Sequence, residues 1–205
     1  HKNIVMVVDA FRANSTSYYV MQYIDGQSLD SLIAAKGRLS TDETVGITRQ
    51  VGSALSCMHS MGMLHLDVKP ANVMMADEKT AILIDFGLSK QYDQNGQPES
   101  STTVGSGTPG YAPIEQANHR EGKDFPVQMD VYALGATMLK MLTGQRPPEA
   151  SDILNFGFPK KELLAVGVTS SVAMVVEKAM APQQNKRYKT VNDFLKALDI
   201  ATNEE

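Results

Sequence analysis

Residues Val127 to Leu142 are apolar almost all round the helix they would form, with Val131, Tyr132, Leu134, Met138, Leu139 and Met141 spread over every face. A helix with no polar side belongs in the middle of a domain, because any exposed face would leave apolar surface in water. Gly144 ends this helix, and Pro147-Pro148 prevents its continuation. Other helices follow from spacing. Ser40-Thr41-Asp42-Glu43 is a capping-box pattern. The helix it starts carries Ile47, Val51, Leu55 and Met58, spaced four, four and three, and Gly62 closes it. Cys57 falls inside this apolar stretch and is expected to be a buried, inert thiol. Ser171 to Met180 and Thr190 to Ala201 are two further amphipathic stretches.

The β signals are short. Ile4 to Phe11 and Ser17 to Ile24 are β-rich runs separated by the polar Arg12 to Thr16, which predicts a hairpin. Val73-Met74-Met75 and Ala81-Ile82-Leu83-Ile84 predict two buried strands around an Asp77-Glu78-Lys79 turn. The fold class is therefore mainly α (α+β), a helical bundle with short β-hairpins. At 205 residues, 42% hydrophobic and 20% charged, the chain has the length and composition of one soluble globular domain. A net charge of −4 argues against nucleic acid or an acidic membrane surface as main partner. No run of about 18 apolar residues and no signal peptide is visible, so a cytoplasmic location is expected.

The second hairpin would present Asn72 and Asp85 at neighbouring ends. Asp67, Lys69 and Asn72 lie within six residues of one another, and Asp85 follows Asn72 by thirteen positions. Together they supply one candidate base, one cation and two oxygen ligands. Two oxygens from different segments suit a phosphate-bound Mg²⁺, which takes few hard ligands from protein. A carboxylate two residues before a lysine can hold a hydroxyl while the lysine neutralises a phosphate in transfer. Either aspartate taken alone reads as a turn or cap carboxylate; it is the combination that points to chemistry.

His65-Leu66-Asp67-x-x-x-x-Asn72 and Asp85-Phe86-Gly87 resemble the catalytic loop and metal-binding triplet of the protein kinase superfamily, in its order and at its spacing. The resemblance runs from His1 to about Leu198. It implies that residues 25–205 are a kinase C-terminal lobe, with catalytic loop 65–72 and activation segment 85–115. Residues 1–24 would be two strands of the N-terminal lobe and the start of the hinge, the rest of that lobe being mostly absent. ATP and Mg²⁺ are the implied cofactors, and the partner is a protein substrate. Asp67 would be the base, Lys69 the phosphate cation, Thr108 the hydroxyl bonded to both, and Asn72 and Asp85 the metal ligands. Met21 would be the gatekeeper, with backbone groups of Gln22 and Ile24 facing adenine, Ser28 near the ribose and Met74 on the adenine floor. For Met21 and Met74 the alternative is plain core filling.

The resemblance also implies that Asp130 braces the catalytic-loop backbone and that Arg187 pairs with Glu115, the alternative being two unrelated surface charges. His59 and His65 are not a metal pair on this reading, and His65 packs internally beside Phe86. Residues 88–107 resemble an activation segment, with Ser100, Ser101, Thr102, Thr103 and Ser106 as candidate phosphosites. Lys69 and Gly107-Thr108-Pro109-Gly110-Tyr111 favour Ser/Thr over Tyr specificity.

Two features depart from the family pattern. Leu66 replaces the arginine that ordinarily receives an activation-loop phosphate, and Pro113-Ile114-Glu115 keeps only the glutamate of Ala-Pro-Glu. The local pattern looks most like the bacterial Ser/Thr kinases. No Gly-rich phosphate loop, strand lysine or helix glutamate precedes the hinge. A fragment of a longer kinase, inactive by itself, is the expected reading, and a short pseudokinase serving as a scaffold is the alternative. The unneighboured N-terminal strands leave a dimer open.

Overall fold

In the computed structural model, which describes residues 1–85, 90–91, 107–117 and 126–203, the chain winds its helices around one central helix. That helix is α4 (Gln128–Thr143), and every residue from Met129 to Leu139 is buried. It packs against the long α2 (Thr41–Ser60), α6 (Lys160–Ala165), α7 (Ser170–Ala179) and α8 (Val191–Asn203). Gly144 ends α4 in the left-handed conformation, φ 70°. A Cβ there would collide with the Gly37 carbonyl oxygen, so the close approach as well as the dihedral requires glycine.

α2 begins in the expected capping box, with Ser40 accepting from the Glu43 N–H and the Glu43 carboxylate returning to Ser40. Its buried stripe is the predicted one, through Ile47, Val51, Leu55 and Met58. Cys57 lies off that stripe and is only half-buried. Three helices had no strong sequence signal: α1 (Leu29–Lys36), α5 (Ala150–Phe156) and α6. All are short, and none has a long repeat of buried positions. A one-turn helix, α3 (Ile114–Ala117), follows the Thr108 segment. No helix among the described residues is long and apolar enough to cross a membrane.

The N-terminal hairpin is displaced from its predicted bounds. It consists of β1 (Val7–Ala13) and β2 (Thr16–Met21), joined by a two-residue turn at Asn14 and Ser15, φ 51° and 59°. Two consecutive left-handed residues match the twist of antiparallel strands, which is why the turn is tighter than the polar run suggested. Residues 3–5 lie outside this hairpin and run beside β6 instead. Val5 is 5% exposed, whereas every residue of β1 is exposed. The Val5 N–H donates to the Leu83 carbonyl (3.0 Å), and the Leu83 N–H to the Asn3 carbonyl (2.9 Å).

A three-stranded sheet in the order β3 (Gln27–Ser28), β5 (Val73–Met75), β6 (Ala81–Leu83) carries the second hairpin. Its register pairs Val73 with Leu83 and Met75 with Ala81. Asp77 closes the turn, accepting from the N–H groups of Lys79 (2.8 Å) and Thr80 (2.7 Å). Between α2 and this hairpin lies β4 (Met63–Leu64), paired with β7 (Lys90–Gln91).

Candidate active site

The loop after β4 is shaped by a carboxylate from the central helix. Asp130, fully buried on α4, accepts the His65 N–H at Oδ2 (2.9 Å) and the Leu66 N–H at Oδ1 (2.8 Å). His59 Nε2 lies 2.8 Å from the same Oδ2. Burial pushes the Asp130 carboxyl up, but the His59 hydrogen bond and charge and the His65 N–H more than offset it, holding it below the usual carboxylate range. Between these grips Leu66 adopts φ 65°. A bulky residue in that region costs about 1–3 kcal/mol of strain and persists only where its surroundings impose it. Its side chain, 3% exposed, packs with Leu64, Met129 and Val127.

His65 is also buried, which holds its imidazole below the ordinary histidine value. The neutral ring can accept the Asp67 N–H at Nδ1 (3.3 Å) and donate from Nε2 to the Ile84 carbonyl (3.4 Å). It therefore ties the 65–72 loop to the strand end that precedes Asp85. Phe86, its expected neighbour, lies outside the described residues, as do Gly87 and Ser100, Ser101, Thr102, Thr103 and Ser106.

Asp67 is the hub of the polar cluster. Its Oδ2 accepts from Lys69 Nζ (2.7 Å) and Asn72 Nδ2 (3.0 Å), and its Oδ1 from the Thr108 hydroxyl (2.7 Å). Lys69 Nζ reaches Thr108 Oγ1 as well, at 2.8 Å. The Asp67 side chain is 13% exposed and that of Lys69 24% exposed, so the pair is only partly screened by water. Asn72 ends a 3₁₀ turn begun by Pro70, and its Nδ2 also donates to the Asp67 carbonyl (2.9 Å). With the amide nitrogen turned to Asp67, Oδ1 is the oxygen Asn72 can offer a cation.

The β5–β6 register brings the two oxygen-bearing ends together, and the Ile84 N–H donates to the Asn72 carbonyl at 2.9 Å. Asp85 is exposed at φ 64°. One amide oxygen and one carboxylate form a hard donor pair that fits Mg²⁺ completed by phosphate and water. Among the described residues no cluster of three or more His, Cys, Asp or Glu side chains forms a metal cage.

The residues expected around adenosine fall into two groups. Ser28 and Met74 are register partners across β3 and β5. Met74 is half-buried, while Val73 and Met75 on either side face the core. Ser28 has a structural task as well, capping α1 by accepting the Ser31 N–H (3.1 Å). Met21 pairs instead with Val7 and is 44% exposed, so it does not fill the core. The Gln22 N–H donates to the Met6 carbonyl (2.9 Å), and Ile24 is half-buried.

The family described as protein kinase domain matches residues 1–201. The chain belongs to that family. This kinase domain is 32% identical over 209 residues to "Probable serine/threonine-protein kinase PknB" of Lactococcus lactis, covering 98% of this chain and 32% of that protein. It is 30% identical over 197 residues to the serine/threonine-protein kinase PknA of Nostoc, covering 93% and 34% of the two. To the serine/threonine-protein kinase PknB of Mycobacterium tuberculosis it is 28% identical over 205 residues, covering 95% and 32%. The chain thus spans about a third of the length of the curated relatives it matches.

Within the kinase domain, segment 107–117 docks on the 65–72 loop and is anchored from behind. Glu115 and Arg187 form the expected ion pair, with both guanidinium terminal nitrogens on the carboxylate and Nη2 3.0 Å from Oε2. The Arg187 side chain has no exposure and also donates to the carbonyls of Ala181 (2.7 Å), Pro182 (3.0 Å) and Gln128 (3.2 Å). Its guanidinium lies 5.0 Å from the Tyr132 ring centre. Two positions were not legible from sequence: His59, which supports Asp130, and Gln116, whose Nε2 donates to the Leu66 carbonyl at 2.7 Å. A short-range pattern carries no signal for bonds between residues 71 and 50 positions apart.

Proposed function

We propose that this chain is the catalytic portion of an ATP- and Mg²⁺-dependent serine/threonine protein kinase of bacterial type. The observation that carries the reading is the Asp67 carboxylate held at once by Lys69, Asn72 and Thr108. Asp67 orients the hydroxyl of a protein serine or threonine and takes its proton as the γ-phosphoryl group is transferred. Lys69 neutralises charge on that group, and Thr108 keeps carboxylate and ammonium in register. Asn72 Oδ1 and the Asp85 carboxylate would hold Mg²⁺, which when bound neutralises phosphate charge. The Gln22 carbonyl and Ile24 N–H would meet the adenine edge beside Met21, with Met74 beneath the ring and Ser28 near the ribose.

In this reading residues 25–205 are the C-terminal lobe, and residues 1–24 are strands and hinge of the N-terminal lobe. The use of ATP favours a cytoplasmic position for the segment. A dimer through the N-terminal hairpin has only the exposed Val7, Val8, Phe11, Tyr18, Tyr19 and Val20 behind it. The scaffold alternative has Leu66 in its favour and the assembled Asp67 cluster against it.

The test is phosphate transfer from labelled ATP to a generic basic protein by the full-length protein, with Asp67→Asn as the blank. Label on serine and threonine is the expected result. Transfer no faster than the blank would overturn the kinase reading in favour of a scaffold.

A further inference from the structure

We propose that Gln116 is a positioning residue for Asp67, acting through the carbonyl oxygen of Leu66. The kinetic part of this inference rests on the kinase reading above. The peptide unit joining Leu66 to Asp67 is a rigid plane that includes the Asp67 Cα, so fixing its oxygen and its N–H fixes the origin of the Asp67 side chain. Both atoms are held. Gln116 Nε2 donates to the oxygen at 2.7 Å, and the N–H points to His65 Nδ1 at 3.3 Å. The preceding peptide is held by Asp130 through the Leu66 N–H, at 2.8 Å. A left-handed leucine at φ 65° is therefore gripped on its amide side from α4 and on its carbonyl side from α3.

Gln116 is built into this place. It is 2% exposed. Its neighbour Glu115 is locked to the buried Arg187. Gly107 lies against its amide, since a Cβ there would come 2.8 Å from Gln116 Nε2 and 2.6 Å from the Ala112 Cβ. Segment 107–117 thus reaches Asp67 twice, by its side chain through Thr108 and by its backbone through Gln116. The second grip is neutral. It supplies an uncharged hold on the loop at the residue whose side chain, leucine, offers no charged one.

The chemistry demands a donor of this length. A carboxylate at 116 would set oxygen against oxygen, and a thioether would leave a buried carbonyl without its N–H. The experiment compares full-length wild type with Gln116→Met, which keeps the volume and loses the donor, and with Gln116→Asn, which keeps the amide but withdraws it by one methylene. Readouts are kcat, KM for ATP, melting temperature, and hydrogen exchange of the Asp67 amide. A misplaced reacting group costs on the order of 10²-fold. The expected result is a kcat about tenfold to a hundredfold lower, KM for ATP within about twofold, and faster Asp67 exchange in both variants.

A lower melting temperature with kcat per folded molecule and Asp67 exchange unchanged would overturn the proposal and leave Gln116 a purely structural residue. If Gln116→Met does not fold, Gln116→Asn decides alone. Should wild type transfer no phosphate, the kinase reading fails by itself. Asp67 exchange then judges the Gln116 grip, acceleration supporting it and no change overturning it.

Discussion

The Thr108 hydroxyl lies 2.7 Å from Asp67 Oδ1, although 41 residues separate them. It accepts from Lys69 Nζ at the same time, so one hydroxyl holds both charged groups of the cluster. Hydrogen bonds to charged groups contribute about 1.5–3 kcal/mol each. Thr108→Val should therefore lower kcat about tenfold to a hundredfold with nucleotide affinity unchanged, whereas Thr108→Ser should keep most of the rate. Steady-state kinetics with a nucleotide titration check this, and a valine variant at wild-type speed would remove Thr108 from the site.

Asp67 and Asp85 are expected to fail differently. In the proposed mechanism Asp67 meets the substrate hydroxyl and not the nucleotide, so Asp67→Asn should abolish transfer while ATP affinity stays close to wild type. Asp85→Asn removes a carboxylate from the proposed Mg²⁺ donor pair and should weaken Mg²⁺-nucleotide binding itself. Calorimetric titration of the two variants separates the roles. Equal loss of ATP binding in both would show the assignment to be wrong.

Arg187 serves two carboxylate oxygens and three backbone carbonyls from a site without solvent exposure. Removing one partner of a buried pair costs about 3–5 kcal/mol. Arg187→Ala should lose stability in that range. Arg187→Lys should recover little, because one ammonium cannot span those acceptors. Urea unfolding measures both, and a loss under about 1 kcal/mol for the alanine variant would mean that the pair is not a brace.

Stability should fall in acid in two stages. Burial holds His65 below its ordinary value of 6.5, so below pH 6.5 the unfolded chain takes up a proton that the folded chain resists. The advantage of folding with neutral His65 is complete above pH 6.5 and declines as pH drops through the window beneath it. Asp130, also held below its ordinary 3.8, contributes stability above that pH which is lost as acidity carries it through its lower folded value. Urea unfolding between pH 8 and pH 5 should show the first decline, with a slope of up to about 1.4 kcal/mol per pH unit. A flat profile would contradict a buried neutral His65.

Leu66 is 3% exposed among Leu64, Met129 and Val127, and its side chain has no donor for a phosphate. Activation-loop phosphorylation therefore should not act through this position. Phosphatase-treated full-length protein should retain most of its rate, and a hundredfold loss would point to another cation in that role.

Elements whose cause is local were legible in the sequence. The capping box and stripe of α2, the all-round apolarity of α4 and the β5–β6 hairpin depend on residues a few positions apart, where 3.6-residue and two-residue periods act directly. The placing of Asp67, Lys69, Asn72 and Asp85 near one another also follows from short chain distances within one loop and one hairpin. Tertiary structure alone decided the rest. Ile4 and Val5 abandon the predicted strand because β6 offers their backbone a partner beside the helices. Ser28 becomes a cap because a short helix, poor in periodic signal, starts at the next residue. Asp130, implied by the resemblance but by no local pattern, reaches Leu66 across 64 residues; His59 reaches Asp130 across 71 and Gln116 reaches Leu66 across 50, with no sequence signal at all. Such bonds exist only once the helices have packed. Packing is set by the summed burial of many side chains, so the depth and angle at which a polar group meets its partner are properties of the assembled core and not of any short stretch of chain.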